Sequence, residues 1–281
     1  MTELDTQKLS VFGVRIVDLT FDEALGAMLS ALRSRPSSSD GDVTERRARS
    51  IYFVNAHTLN LAHQDPSFRD VLNRADFVFG DGTGVRWACR VLHGVALKDN
   101  VNGTDLVPRI FAAGRDQGLS YYLLGNTEQH IERAAEYARR TFTGWKQAGY
   151  HHGYLDDKLS RQVVERINTS GAHMLLVGMG NPIQEKWLDR HIHALTVPIC
   201  LGIGGLLDYW AGNIERAPYW LRRLGHEWLY ILVQQPNKSS RYLFGNPRFL
   251  ARMVKSKVLG SDRRRSMDLV EHRSTGSPSD G

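Results

Sequence analysis

Cysteine is scarce in this chain, and long apolar runs are missing. The two cysteines among the 281 residues, Cys89 and Cys200, lie far apart and lack metal-ligand spacing. Two thiols cannot build a disulfide framework, so we expect a reducing compartment. No apolar run reaches the roughly 18 residues of a membrane-spanning helix, and the polar first residues, MTELDTQKLS, do not resemble a signal peptide. The sequence therefore predicts a cytoplasmic protein without a transmembrane helix.

The chain also lacks intact phosphate-binding and metal-binding motifs. It has no Walker A sequence, and the dinucleotide pattern Gly-x-Gly-x-x-Gly starting at Gly82 has Trp87 in its third position. A second partial match starts at Gly178 and has Ile183 there. The Asp-Gly-Asp run at 40–42 is similar to an Asp-x-Asp metal motif, but no predicted strand precedes it. We predict no metal and no cofactor, and an NAD(P)-dependent Rossmann oxidoreductase is the alternative function.

Positive charge is unevenly distributed. The net charge is +6, yet residues 213–281 hold 13 Lys and Arg against 6 Asp and Glu, a balance of +7, which leaves −1 for residues 1–212. A basic C-terminal quarter indicates a surface that faces phosphate, lipid headgroups or nucleic acid, and a solvated basic tail is the alternative. Because no helix-turn-helix or RNA-binding signature occurs, we predict no nucleic-acid partner.

Apolar segments alternate with amphipathic ones along most of the chain. The apolar segments predict strands at 11–19, 50–54, 76–79, 120–125, 173–180 and 197–205. The amphipathic segments predict helices at 20–32, 57–75, 84–92, 128–142, 182–192, 217–236 and 246–260. A break in the second helix is expected near Pro66. Apolar strands separated by helices predict an α/β fold, Rossmann-like and doubly wound, with a mostly parallel sheet and helices on both faces.

Three regions follow from this pattern. Residues 1–212 are predicted to form the α/β core, in which the polar, Ser-rich stretch 33–50 is a surface loop. Residues 213–260 contain no predicted strand and are expected to form an amphipathic, basic, helical C-terminal appendage. Residues 261–281 are polar, include three consecutive arginines and are expected to be disordered.

The stretch FGDGTGVRWACR, residues 79–90, places Asp81 between two glycines directly after a predicted strand. In open α/β sheets, ligands bind at the carboxyl ends of the strands. Asp81 is therefore predicted to face a ligand, with the glycines allowing a sharp turn and leaving room for a substrate. An aspartate here also suits the N-cap of the following helix, and both roles remain open.

Amides, carboxylates and glycines follow the other predicted strands in the same way. Because the carboxyl ends of parallel strands meet at one edge, we expect these residues to form one pocket suited to a sugar nucleotide. For each polar residue taken alone, helix capping is the commoner explanation. The candidate substrate-binding residues are Asn55, Gly82, Asn102, Gly103, Asp105, Gly178, Gly180, Gln184, Gly204 and Gly205.

Six motifs together resemble the WecG/TagA/CpsF family of bacterial glycosyltransferases. They occur in order over about residues 11–259, as NAHTLNLA, ADFVFGDGTGV, NGTDL, LLVGMGNPIQEKW, GIGGLLDYWAGNIERAP and LGHEWLY. The resemblance implies an inverting, metal-independent transferase that moves a hexose-type sugar from a UDP-sugar to a polyprenyl-diphosphate-linked saccharide, for exopolysaccharide or another cell-surface polysaccharide. It also implies a peripheral position on the inner face of the cytoplasmic membrane, with the C-terminal helices on anionic lipid. Whether the chain forms a homo-oligomer is left open.

The resemblance also implies roles for particular residues. It makes Asp81 the general base, and it matches Asn55 and Gln184 to the family's conserved amides. Two positions depart from the family: Phe53 stands where Thr is frequent, and Ile231 where Arg is frequent. These departures affect how the diphosphate is held and which donor or acceptor is used. The basic residues expected to contact phosphate or membrane are Arg216, Arg222, Arg223, Lys238, Arg241 and Arg248.

Overall fold

The computed structural model describes residues 7–33, 48–218, 230, 234 and 243–274, with side chains as far as residue 259. Most of the predicted surface loop at 33–50, and most of the helix predicted at 217–236, therefore lie outside the described residues.

The chain begins with a small hairpin. Strands β1 (Lys8–Val11) and β2 (Val14–Val17) pair antiparallel. The prediction of a single strand over 11–19 is wrong, because Phe12 and Gly13 have φ values of 52° and 84° and turn the chain back on itself.

The core is one sheet of six parallel strands in the order β4-β3-β8-β7-β5-β6. Its strands are β3 (Arg49–Val54), β4 (Phe77–Gly80), β5 (Ser120–Gly125), β6 (Lys146–His151), β7 (Met174–Gly178) and β8 (Ile199–Gly202). The chain crosses from one side of the sheet to the other between β4 and β5, as a doubly wound fold requires. The predicted α/β, Rossmann-like class is confirmed.

Helices cover both faces of this sheet. They are α1 (Phe21–Arg33), α2 (Ala56–Gln64), α3 (Pro66–Arg74), α4 (Thr83–His93), α5 (Gly103–Ala113), α6 (Glu128–Thr141), α7 (Asp157–Ser170), α8 (Ile183–His191), α9 (Leu206–Trp210) and α10 (Gly245–Ser274). A 3-10 turn, Ile192–Ala194, follows α8. The predicted break near Pro66 is confirmed: Asp65 ends α2 and caps α3, its Oδ1 accepting from the nitrogen of Phe68 at 3.1 Å.

The sheet divides the core into two apolar layers, because side chains alternate along each strand. In β3, Tyr52 and Val54 belong to the layer under α2, α3, α7 and α8, whereas Ile51 and Phe53 belong to the layer under α1, α5, α6 and α9. Five residues of β3 are buried, which explains the continuous apolar run in the sequence.

The strand β6 and the helix α7 do not appear among the sequence-based predictions. The strand lies at the edge of the sheet, and none of its residues is fully buried. Its sequence, KQAGYH, therefore has no apolar run from which a strand can be recognised.

The long helix α10 packs against α2 and α4, the helices that follow β3 and β4. Phe249 and Met253 are buried, and the ring of Phe249 lies 5.4 Å from that of Phe12. Nη1 of Arg252 donates to the carbonyl oxygen and to Oδ1 of Asn60, at 3.1 and 2.7 Å. The helix continues to Ser274, so its end does not coincide with the predicted boundary at residue 260.

Candidate active site

The parallel strands end at one side of the sheet, here called the carboxyl edge. It is formed by the first residue after each strand: Asn55, Asp81, Asn126, His152, Met179 and Ile203. Because neighbouring strands lie about 4.8 Å apart, the part from β4 to β7 spans roughly 14 Å. The expectation that the predicted strand ends converge is confirmed.

Hydrogen bonds between main-chain atoms continue past the strand ends. The nitrogen of Asp81 donates to the carbonyl oxygen of Val54 at 2.9 Å, and the nitrogen of Ile203 donates to that of Val177 at 2.8 Å. The first residues of the carboxyl edge are thus held by the neighbouring strand, although they lie outside the strands themselves.

Asp81 lies one residue before the N-cap of α4. The N-cap is Gly82, and the helix begins at Thr83. Of the two roles left open for Asp81, helix capping and facing a ligand, the first loses support, because Asp81 does not occupy the capping position. The N-terminus of α4, which carries partial positive charge, begins next to it.

The loop after Asp81 is fixed by a distant side chain. The nitrogen of Gly82 donates to Oδ1 of Asn100 at 2.6 Å, and Gly82 has a φ of 96°, a conformation that favours glycine. A Cβ atom at Gly82 would have no neighbour within 4 Å, so open space lies over this residue. Backbone geometry, and not crowding, explains the glycine.

Trp87 was expected to break the dinucleotide pattern by its size. In the structure its side chain is 60% exposed and does not lie between α4 and the sheet. The third position of that pattern therefore does not make the close helix–strand contact that a dinucleotide loop requires. The glycine that allows close packing here is Gly80, the last residue of β4, whose Cβ would lie 2.5 Å from Leu97.

Asn55 caps α2, the role that is commoner for a single polar residue at such a position. Its Oδ1 accepts from the nitrogens of His57 and Thr58, at 3.1 and 3.2 Å. No hydrogen bond from its Nδ2 occurs within the described part of the chain. The cap thus occupies the oxygen and leaves an amide donor beside Asp81.

Phe53, which departs from the family pattern, forms an apolar floor under this side of the carboxyl edge. Alternation along the strands places Asn55 and Asp81 on the face of the sheet that carries Phe53 and Phe79, whose rings stack at 6.0 Å. A Cβ at Gly103 would lie 3.0 Å from the ring of Phe53. Gly103 thereby lets the N-terminus of α5 approach the strand end.

A polar network stands at the N-terminus of α5. The amide of Asn102 accepts from the nitrogen of Asp105 and donates to Oδ2 of its carboxylate, both at 2.8 Å. Oδ1 of Asp105 lies 2.5 Å from Nη2 of Arg216. The pair brings one of the predicted phosphate-binding cations to the positive end of a helix, where an anion is favoured.

The turns after β7 and β8 form the other half of the site. Gln184 is fully buried on α8, and its Oε1 accepts from the nitrogen of Gly204 at 3.0 Å. Gly178 is required for packing, because its Cβ would lie 2.7 Å from Leu207. Gly180 has a φ of 80° with open space above it, and Gly205 caps α9. Direct contact of these residues with a substrate stays a prediction.

Glu185 is a buried acid that the sequence reasoning missed. Its Oε1 accepts from Nε2 of Gln184 at 2.8 Å and from Nδ2 of Asn181. Burial raises the pKa of its carboxyl to about 7, against the two amides, which lower it. Nothing in the local sequence separates this residue from an exposed glutamate in the first turn of a helix.

A second missed cluster follows β5. Asn126 has a φ of 58°, its Nδ2 donates to Oδ1 of Asp208 at 2.7 Å, and its Oδ1 accepts from the nitrogen of Thr127 at 2.9 Å. His130 Nδ1 lies 3.2 Å from the same oxygen. The cluster ties α6 to α9 at the far end of the site.

The remaining predicted basic residues belong to the C-terminal part. Arg248 is exposed on α10. Within the described residues, no group of three or more His, Cys, Asp or Glu is placed to hold a metal, and no helix is long and apolar enough to cross a bilayer. The Asp-Gly-Asp run at 40–42 lies outside those residues. The following also lie outside them: Arg222, Arg223, Ile231, Lys238 and Arg241.

Comparison with known proteins agrees with the motifs. The model of the glycosyl transferase WecG/TagA/CpsF family matches residues 9–263. A Bacillus spizizenii protein named N-acetylglucosaminyldiphosphoundecaprenol N-acetyl-beta-D-mannosaminyltransferase is 30% identical over 194 residues, which cover 69% of this chain and 74% of the relative. A Staphylococcus aureus protein of the same name is 31% identical over 207 residues, 74% of this chain and 80% of the relative.

The family match covers both halves of the site, from the turn after β3 to the helix that packs against it. The parallel sheet, the acid after β4 and the ordered glycine turns after β7 and β8 are consistent with that match. The chain therefore belongs to the WecG/TagA/CpsF family of glycosyl transferases.

Proposed function

We propose that the protein transfers a hexose-type sugar, with inversion and without a metal, from a UDP-sugar to a saccharide linked to polyprenyl diphosphate. The product would serve the synthesis of a bacterial exopolysaccharide or another cell-surface polysaccharide. The names of the two relatives support the acceptor class and suggest an N-acetylmannosaminyl donor as the first to test. The observation that carries the proposal is the position of Asp81 on the carboxyl edge.

Asp81 is the general base of the proposed reaction. An inverting transfer is one direct displacement, in which the acceptor hydroxyl loses a proton as its oxygen attacks the anomeric carbon. Asp81 lies beside Asn55 at a strand end, one residue before the cap of α4, with open space over Gly82. A carboxylate at this place accepts the proton, and the space admits the acceptor sugar.

The departing diphosphate needs positive charge or aligned N–H donors. The N-terminus of α5 and the guanidinium of Arg216 supply both on one side of the site. On the other side, the turns at Gly180 and Gly204 have positive φ and open space above them. Main-chain nitrogens in such turns form concave anion sites. These groups support departure of UDP without a divalent ion.

The C-terminal helix is the proposed contact with the membrane. On α10, Leu250 and Val254 are exposed, next to the exposed basic residues Arg248, Lys255 and Lys257. Apolar and cationic side chains on one exposed helix are typical of binding to anionic lipid at the interface. Because α10 also packs on α2 and α4, it would bring the lipid-linked acceptor to Asp81 from the inner face of the cytoplasmic membrane.

The test is a nucleotide-release and product screen with the full chain. UDP-N-acetylmannosamine and other UDP-hexoses are offered with a polyprenyl-diphosphate-linked N-acetylglucosamine in anionic vesicles, with and without EDTA. We expect UDP release and a lipid product heavier by one sugar, with inverted anomeric configuration and with the rate unchanged by EDTA. Retention of configuration, loss of rate with EDTA that Mg²⁺ restores, or transfer only from sugars on another nucleotide contradicts the corresponding part of the proposal.

A further inference from the structure

The carboxyl group of Glu185 lies completely inside the protein, in the first turn of α8 and behind the carboxyl edge. Its two oxygens have different surroundings. Oε1 accepts hydrogen bonds from the amides of Asn181 and Gln184. Oε2 is equally buried and has no hydrogen-bond partner among the residues that the structure describes. A buried polar atom without a partner costs stability, so the presence of an acid here needs an explanation.

The two amides connect Glu185 with both turns of the proposed donor site. Asn181 belongs to the turn between β7 and α8. Gln184 connects Glu185 with the turn after β8, because its Oε1 accepts from the nitrogen of Gly204 at 3.0 Å. One oxygen of Glu185 therefore orients two side chains, and through them the turns after β7 and β8.

We propose that Glu185 is a positioning residue of the active site, which holds the turns after β7 and β8 in the geometry that binds the diphosphate of the donor. The identity of the donor in this inference rests on the proposed function. The claim that Glu185 orders the two turns does not depend on the proposed function.

Stability alone does not account for Glu185. Replacing a buried ionisable group by an apolar residue of similar volume is often neutral or stabilising. An apolar residue at 185 would remove the unpartnered Oε2, but it would also leave the amides of Asn181 and Gln184 without their common acceptor. We therefore infer that Glu185 lowers the stability of the fold and, in return, fixes the geometry of the two turns at the site.

Burial favours the neutral form of Glu185, whereas the amides of Gln184 and Asn181 favour the ionised form. Tyr52 faces it from β3 and donates to its carbonyl oxygen at 3.3 Å. Cys200 on β8, Asp189 on α8 and Arg74 on α3, which pairs with Asp189, are other titratable groups near that tyrosine. None of these charges is among the causes that shift the pKa of Glu185, which burial raises to about 7. A neutral carboxyl still accepts both amide hydrogen bonds through Oε1, and it places no negative charge beneath an anionic donor.

Two substitutions separate the acceptor role from a general packing role. Glu185→Gln keeps a carbonyl oxygen for the two amides, and Glu185→Leu keeps the volume but removes the acceptor. Glu165→Gln, an exposed glutamate on α7, is the matched control. We expect Glu185→Leu, which removes the common acceptor of two buried amides, to weaken UDP binding and raise the donor KM about tenfold, with a smaller change in kcat. At about pH 6, where the wild-type carboxyl is mostly neutral, Glu185→Gln and the control should bind UDP like the wild type.

Amide hydrogen exchange gives a readout that does not depend on the donor. Exchange at residues 179–184 and 203–208 should accelerate in Glu185→Leu and stay unchanged in Glu185→Gln, while α6 keeps wild-type protection. Equal exchange in Glu185→Leu and the wild type overturns the inference, as does a Gln variant as impaired as the Leu variant. If wild-type protein releases no UDP from any sugar, the proposed function fails, and the exchange data still decide the role of Glu185.

Should the Leu variant not fold, the pH profile of Glu185→Gln decides. Ionisation of the wild-type carboxyl adds negative charge under the donor site, so the wild-type donor KM should rise between about pH 6 and about pH 8, and the Gln variant should lack this rise. Superimposable profiles of the two proteins overturn the inference.

Discussion

The main-chain nitrogen of Asp81 donates a hydrogen bond of 2.9 Å to the carbonyl oxygen of Val54, so the acid is held in line with the neighbouring strand. The same loop is fixed from the other side, where the nitrogen of Gly82 donates to Oδ1 of Asn100. A general base must be placed within hydrogen-bond reach of the proton that it takes. If Asp81 is the base, as proposed, two main-chain hydrogen bonds on consecutive residues provide that placement.

Asp81→Asn should keep the fold and lose transfer. The amide has the same shape but cannot accept the proton, so kcat should fall about 100- to 10,000-fold, with donor KM nearly unchanged. Initial rates of UDP release and a thermal melt of both proteins measure the two effects. Asp116→Asn, an exposed aspartate away from the carboxyl edge, is the control. A folded Asp81→Asn protein with wild-type turnover would remove Asp81 from the mechanism.

Arg216→Ala should weaken the binding of UDP. If the guanidinium pairs with phosphate as well as with Asp105, its loss costs about 1.5 to 3 kcal/mol, which is roughly a ten- to hundredfold rise in Kd. Arg216→Lys should restore only part of the affinity, because an ammonium lacks the two-pronged geometry. Titration calorimetry with UDP measures the change.

The exposed Arg139 on α6, replaced by alanine, controls for a general loss of positive charge. Unchanged UDP affinity in Arg216→Ala would limit this arginine to its structural pair with Asp105.

The fold could be predicted from the sequence because five of the six strands of the main sheet are apolar runs between amphipathic helices. A strand such as β3, buried on both faces, leaves a continuous apolar signature. Parallel strands then bring their carboxyl ends together, so the meeting of Asn55, Asp81 and Gln184 on one side of the sheet also followed from the sequence. Their individual roles did not.

The missed features depend on contacts between residues far apart in the chain. Asn100 lies 18 residues from Gly82, and Gln184 lies 20 residues from Gly204. Glu185 became recognisable only when its burial was known, because its position in the first turn of a helix is one that exposed glutamates also favour. The edge strand β6 was missed because its side chains are not fully buried.

Arg252→Met should loosen the docking of α10. The substitution keeps the aliphatic stem but removes the two hydrogen bonds that the guanidinium donates to Asn60. Hydrogen bonds from a charged donor are worth about 1.5 to 3 kcal/mol. Hydrogen exchange in residues 246–258 should accelerate roughly tenfold or more, while β3 and β7 keep their protection. Arg248→Met, an exposed arginine one turn earlier, should leave the exchange unchanged. Equal rates in both variants would assign the docking to Phe249 and Met253 alone.

Replacing both Leu250 and Val254 by aspartate should weaken binding to anionic vesicles. The exposed side chains would lose their apolar contact with lipid, and two negative charges would face the headgroups. Sedimentation with phosphatidylglycerol vesicles at low and high salt measures the loss, and neutral vesicles provide the baseline. UDP binding should stay at the wild-type value, since neither residue lies on the carboxyl edge. Undiminished sedimentation would place the membrane contact elsewhere.

Glu185→Gln should change how stability depends on pH. The pKa of Glu185 is raised from 4.5 in its ordinary state to about 7 in the folded protein, so its contribution to stability is complete below about pH 4.5 and is lost as the pH rises through 7. Between about pH 5 and about pH 8, the wild type should lose roughly 2 kcal/mol relative to the Gln variant, which has no proton to lose.

Urea unfolding of the two proteins at several pH values measures this difference, and Glu165→Gln should follow the wild type throughout. Burial is the main cause of the raised pKa of Glu185. The pH at the midpoint of the stability difference therefore reports whether the carboxyl is buried in solution. A constant difference between Glu185→Gln and the wild type across that range would mean that Glu185 titrates like an exposed glutamate. It would also remove the neutral state in which this carboxyl places no negative charge beneath the donor.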